Sequence, residues 1–176
     1  MEQRITKLTI VIVSVLLSLA GSFSTVAQGQ PKHFYAYEGI CCSFLQEDQG
    51  SIGVDASIGY RFKNLSLFVP VSVAERLYAM STTKNYDFQG LLGLGLSERI
   101  RINNDYNVEL VALAQSTYLH KECLFKYATG KVEARWAKKR RIGFQTFGLG
   151  VQYYKMYDGS LGQDGASPCI SVGWLF

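Results

Sequence analysis

Between Ser51 and Phe62 the chain reads SIGVDASIGYRF, and the two kinds of residue take turns. Ile52, Val54, Ala56, Ile58, Tyr60 and Phe62 fall on one side, with Gly53, Asp55, Ser57, Gly59 and Arg61 on the other. A period of two is the period of a β-strand, whose successive side chains point to opposite faces. The pattern constrains the fold because it recurs. In NLSLFVPVSV, Leu65, Leu67, Val69, Val71 and Val73 oppose Ser66, Phe68, Pro70 and Ser72. In LLGLGLSERIRI, Leu92, Leu94, Leu96, Ile100 and Ile102 oppose Gly93, Gly95, Ser97, Arg99 and Arg101, with Glu98 the exception. YNVELVALAQSTYL sets Tyr106, Val108, Leu110, Ala112 and Ala114 against Asn107, Glu109, Gln115 and Thr117, although Val111 and Leu113 blur the contrast. YATGKVEARWA sets Ala128, Gly130, Val132, Ala134 and Trp136 against Thr129, Lys131, Glu133 and Arg135.

Two segments alternate less cleanly. RIGFQTFGLGVQYYKM begins with Ile142 and Phe144 on the apolar side and continues with Phe147, Leu149, Val151 and Tyr153, which predicts a bulge near Gln145 and Thr146. HFYAYEGICCSF leaves its phase open. Counting both, the reading predicts eight strands, at about 33–44, 51–62, 65–80, 86–102, 106–119, 125–137, 141–156 and 167–176. Tight polar connectors are expected at Lys63-Asn64, Asn103-Asn104-Asp105 and Lys138-Lys139-Arg140, and longer ones at LQEDQG, STTKN and YDGSLGQDGA. Short and long turns therefore alternate, as in an up-and-down barrel.

The N-terminal segment has a different character. Arg4 and Lys7 precede a nearly uninterrupted apolar run from Leu8 to Ala20, and Thr25 and Ala27 occupy the small-residue positions before a cut at Gln28. This is the layout of a secretory signal peptide over residues 1–27, which leaves 28–176 as one barrel domain. The run is shorter than the roughly 20 apolar residues of a membrane-spanning helix, and no other long apolar block follows. Any membrane span must then be a strand. Removing residues 1–27 takes away Glu2, Arg4 and Lys7, so 18 basic and 14 acidic residues become 16 and 13. That near balance argues against a nucleic-acid partner.

The chain ends SPCISVGWLF, with Ile170, Val172, Trp174 and Phe176 spaced by two. A final strand of this kind resembles the C-terminal insertion signal of bacterial outer-membrane barrels, and the whole reading is most similar to the small eight-stranded OmpX-type barrels and the barrel half of OmpA. The resemblance implies an eight-stranded antiparallel transmembrane barrel in the bacterial outer membrane, with its apolar faces on lipid. It also implies delivery by the barrel-insertion machinery and outer strand tips that capture a surface protein by strand addition, here at 74–80, 86–89 and 151–157. OmpA's peptidoglycan-binding domain is not carried over.

Inside such a barrel lies room for little beyond side chains. The inward charges are expected to be Asp55, Arg61, Arg76, Arg99, Arg101, Glu109, Lys131, Glu133 and Arg135, pairing with one another because an unpaired charge there is costly. The functional reading is a monomeric, non-enzymatic envelope or surface-interaction protein with a packed polar lumen and no cofactor. A narrow anion-permeable pore is the alternative, and a lipid A-modifying enzyme, with His120, Glu122 and Ser116 as its one candidate group, a further one. A soluble barrel holding an apolar ligand would reverse the two faces, and alternation alone does not distinguish inward from outward.

Of the four cysteines, Cys41 or Cys42 with Cys169 are candidates for a disulfide across the first and last strands, free thiols being the alternative. Cys41-Cys42 lacks the spacer of a zinc site, so no metal is expected. GLLGLGLS lacks phosphate-loop spacing and reads as small residues making room in the lumen. Lys138 to Arg141, KKRR, reads as a turn meeting anionic headgroups.

Overall fold

The computed structural model describes residues 33–46, 49–79, 84–118, 125–160 and 162–176. The eight strands are β1 (Phe34–Gln46), β2 (Gln49–Phe62), β3 (Leu65–Ala79), β4 (Lys84–Arg101), β5 (Tyr106–Thr117), β6 (Tyr127–Lys139), β7 (Phe144–Met156) and β8 (Gly165–Leu175). Each pairs antiparallel with the next, and β8 returns to β1 through Cys41↔Ser171 and Ser43↔Cys169, closing the barrel. The Phe176 N–H, just beyond β8, donates to the Ala36 carbonyl at 2.9 Å. Closure removes the exposed edges that an open sheet would present. Among the described residues there is no helix.

Alternation decides which way each strand faces. On β2 through β6 the polar set points inward as predicted: Ser57, Ser66, Ser72, Arg76, Ser97, Glu109, Gln115, Thr129, Lys131, Glu133 and Arg135 are buried. The aliphatic set is turned out, with Leu94 66% and Val132 67% exposed. On this outer face aromatic side chains gather at both ends. Tyr60, Phe62, Tyr106, Trp136, Phe147 and Trp174 lie toward the short-turn rim, while Phe88, Tyr118, Tyr153 and Tyr157 lie toward the long-loop rim.

Three expectations are corrected. The β6–β7 ladder runs without a shift from Lys139↔Phe144 to Tyr127↔Met156, so there is no bulge at Gln145 and Thr146. Ile142 belongs to the turn and Phe144 points inward, packed on an aromatic cluster; its apolar character had marked it as outward. The irregularity lies instead between Ser43 and Gln46 in the β1–β2 ladder. Lys138 and Lys139 extend β6, and the turn that follows is 140–143, where Gly143 takes the positive φ of 71° that a glycine tolerates.

Candidate functional site

Among the described residues, the barrel's interior is where charged groups are brought together away from water. Two apolar clusters fill much of it. Toward the short-turn rim, Tyr35, Tyr37, Phe68, Val111, Leu113 and Leu175 pack together, with Phe144 against them. Toward the other rim, Ala74, Leu91, Phe125, Tyr127 and Tyr154 do the same, with Met156 alongside. The first cluster fits because β4 is glycine-rich: a Cβ on Gly95 would collide with the Phe68 ring. This is the space-making role expected of GLLGLGLS.

A line of ion pairs joins the two clusters. Asp55 meets Lys131 at 3.0 Å, Lys131 meets Glu133 at 3.6 Å, Glu133 meets Arg135 at 3.1 Å, Arg135 meets Glu109 at 4.0 Å and Glu109 meets Arg61 at 3.9 Å. The signs alternate along the line, so its six members sum to neutrality. The last two contacts are too long for hydrogen bonds, and Glu109 instead accepts a hydrogen bond from Ser97 at 3.0 Å. Glu133 also accepts one from the Ser171 hydroxyl. Gly148 stands between Arg135 and Ser171 in the ladders, and a side chain there would strike the Glu133 carboxylate. Within the line, Arg135 lies 3.7 Å from the Tyr37 ring centroid, a cation–π contact.

The other predicted lumen charges stand apart from this line. Arg76 is buried between the rings of Tyr127 and Tyr154, 4.9 and 4.0 Å from their centroids. Arg99 is the ladder neighbour of Glu109, yet its guanidinium lies 4.9 Å over Phe144, and its Nε and Nη2 have no hydrogen-bond partner among the described residues. Arg101 is exposed at the short-turn rim and bonds back to Asn103 and Asn104 in its own turn.

A cavity of about 20 Å³ is lined in part by Cys41, Asp55, Gln115 and Lys131. A single water needs roughly 10–15 Å³, so it holds one or two. Cys41 and Cys169 both face inward one diagonal step apart across the β1–β8 seam, with no bond between the sulfurs. Cys42, the third of the disulfide candidates, lies on the opposite face of β1. Cys123, His120 and Glu122 lie outside the described residues, as does the predicted signal peptide. Ser116 shares a 2.8 Å hydrogen bond with the Tyr157 hydroxyl. Among the described residues no group of three metal-ligating side chains is assembled. The C-terminal set Ile170, Val172 and Trp174 faces outward on β8, with Phe176 just beyond it.

Sequence reasoning missed the lumen aromatics Tyr35, Tyr37, Phe125, Tyr127 and Tyr154, of which the four tyrosines stack against cations while Phe125 packs in the apolar cluster. It also missed Glu38, which sits on the outer side of β1 opposite Trp174. Aromatic residues occur on both faces of this barrel, so residue type alone carried no signal of their direction. Comparisons with protein-family models, with curated proteins and with solved structures found no match. The class is therefore defined by the molecule's own geometry: an eight-stranded antiparallel closed β-barrel, compatible with the small outer-membrane type.

Proposed function

We propose that the protein is an integral barrel of the bacterial outer membrane, non-enzymatic and monomeric, with a plugged polar lumen and a role in the envelope or at the cell surface. The observation that carries this reading is the inversion of polarity. A water-soluble barrel hides its aliphatic residues and wets its charges, whereas here the ion pairs are enclosed and the aliphatic side chains are turned out. Aromatic residues at both ends of that outer face match the girdles that mark the two membrane interfaces. In this reading the short-turn rim is periplasmic. Residues 1–27 direct export and are removed, and Ile170, Val172, Trp174 and Phe176 serve the insertion machinery.

Strand length supports the surface role. Crossing takes roughly 9–11 residues, but β4 has 18 and β3 has 15. Among the described residues the β4–β5 ladder reaches Leu91↔Thr117, the Tyr118 N–H donates to the Gly90 carbonyl at 3.1 Å, and Lys84 to Gln89 of β4 lie beyond that point. That stretch offers backbone for strand addition by a partner protein.

The test is extraction and migration. The folded protein is expected in the membrane fraction, released only by detergent, and to run at a different apparent mass on a gel before and after boiling. Recovery of folded protein in detergent-free buffer would refute the reading.

A further inference from the structure

The two rims differ in charge. At the short-turn rim Lys63, Arg101, Lys138, Lys139, Arg140 and Arg141 are all exposed, and none of them makes an ion pair among the described residues. Among the described residues the acidic side chains at that end are Glu38, on the outer side of β1 opposite Trp174, Glu98 and Asp105. At the other rim the described charges are mixed, and Lys155 is already paired with Asp164.

Three features give the basic rim a direction. It is continuous with the outer apolar face: Lys138 points outward like Trp136, two residues before it, and its ammonium lies 5.5 Å from the Tyr106 ring centroid. Arg140 is braced rather than free, its Nε and Nη2 donating to the Gln145 side chain at 3.1 and 2.8 Å. Lys63 opens the two-residue β2–β3 hairpin loop with φ of 56°, a position where glycine or asparagine is the low-cost choice. A lysine is kept there against its backbone preference.

Resting on the membrane reading above, we propose that this rim is a binding surface for the phosphate headgroups of acidic glycerophospholipids in the adjoining leaflet. The cations sit just beyond the aromatic belt, at headgroup depth, where each attracts an anionic surface. Lys138 and Trp136 would span one lipid, the ammonium on its phosphate and the indole along its glycerol region. The braced guanidinium of Arg140 suits a two-oxygen contact with a second.

The chain has two tryptophans, and a Trp174→Phe variant leaves Trp136 as a local reporter. This protein is reconstituted into vesicles in which a minority of the lipid is brominated, as either phosphatidylglycerol or phosphatidylcholine. Trp136 quenching should show phosphatidylglycerol bound at least tenfold more strongly at low salt, the preference shrinking as salt rises. Adding Lys138→Gln, Lys139→Gln, Arg140→Gln and Arg141→Gln together should bring the ratio close to one while the gel shift on boiling persists. Lys63→Gly, in the β2–β3 hairpin across the barrel from β6, should leave the Trp136 ratio nearly unchanged while raising the unfolding midpoint. Equal quenching by the two lipids in the starting protein overturns this inference and leaves the membrane reading standing; quenching by neither overturns the membrane reading itself. Stronger competition by lipid A than by phosphatidylglycerol overturns the choice of partner.

Discussion

Glu133 sits at the middle of the interior line of ion pairs. It is fully buried, holds Lys131 on one side and Arg135 on the other, and takes a hydroxyl from Ser171. Replacing it with glutamine keeps the volume and leaves two buried cations short of a counter-charge. Breaking a buried pair from one side costs about 3–5 kcal/mol, and Glu133→Gln is expected to lower urea-unfolding stability in micelles by about 3 kcal/mol. Gly148→Ala attacks the same carboxylate sterically. Its methyl group needs the space that Glu133 and Ser171 occupy, so a loss of about 1–3 kcal/mol, the usual cost of overpacking, is expected in the same assay. An unchanged midpoint in both variants would mean that the interior is looser than its contacts imply.

Among the elements, the β1–β8 seam offers its own test. Cys41 and Cys169 face each other diagonally inside it, while Cys42 lies on the outer side. Mild oxidation of the folded protein is expected to cross-link Cys41 to Cys169 and speed its migration on a non-reducing gel after boiling. Cys42→Ser should retain the shift and Cys41→Ser should abolish it. At the long-loop rim, Asp164 clasps the end of β7: it pairs with the Lys155 ammonium and accepts the Met156 N–H at 2.7 Å. These contacts, Lys155 first, hold its carboxyl below the usual carboxylate range. A lowered value means that the clasp contributes fully above about pH 4 and is lost as pH falls through the lowered value. Protease nicking between Tyr157 and Asp164 should therefore rise at acid pH, a dependence that Asp164→Asn should remove.

Strand by strand, legibility followed how faithfully polarity reported direction. It held over most of β2 through β6, where serines and charges point in and aliphatics out, although Leu91, Val111 and Leu113 turn inward and Glu98 turns out. It failed where the lumen is filled by rings: Tyr35 and Tyr37 left the phase of β1 open, and Phe144 read as outward when it caps the inner aromatic cluster. Alternation fixed the face of every predicted lumen charge but not its height or its partner. The sequence order therefore gave no sign that Arg99 would pass over its ladder neighbour Glu109 for a phenylalanine ring.

For the molecule as a whole, the proposed plugged lumen rests on two apolar clusters and a neutral line of ion pairs inside the barrel. Planar-bilayer recordings of the folded protein are expected to show no steady current above the lipid leak. A stable anion-selective conductance would favour the pore alternative and would require the cluster of Tyr127 and Tyr154 to move aside. The ring topology has a temporal consequence as well. β1 leaves the ribosome first, yet one of its two neighbours, β8, is the last strand to be made. No stage of synthesis short of the final strand can satisfy both sides of the first. The ring can close only once the chain is whole, and until then one side of β1 lacks its partner strand.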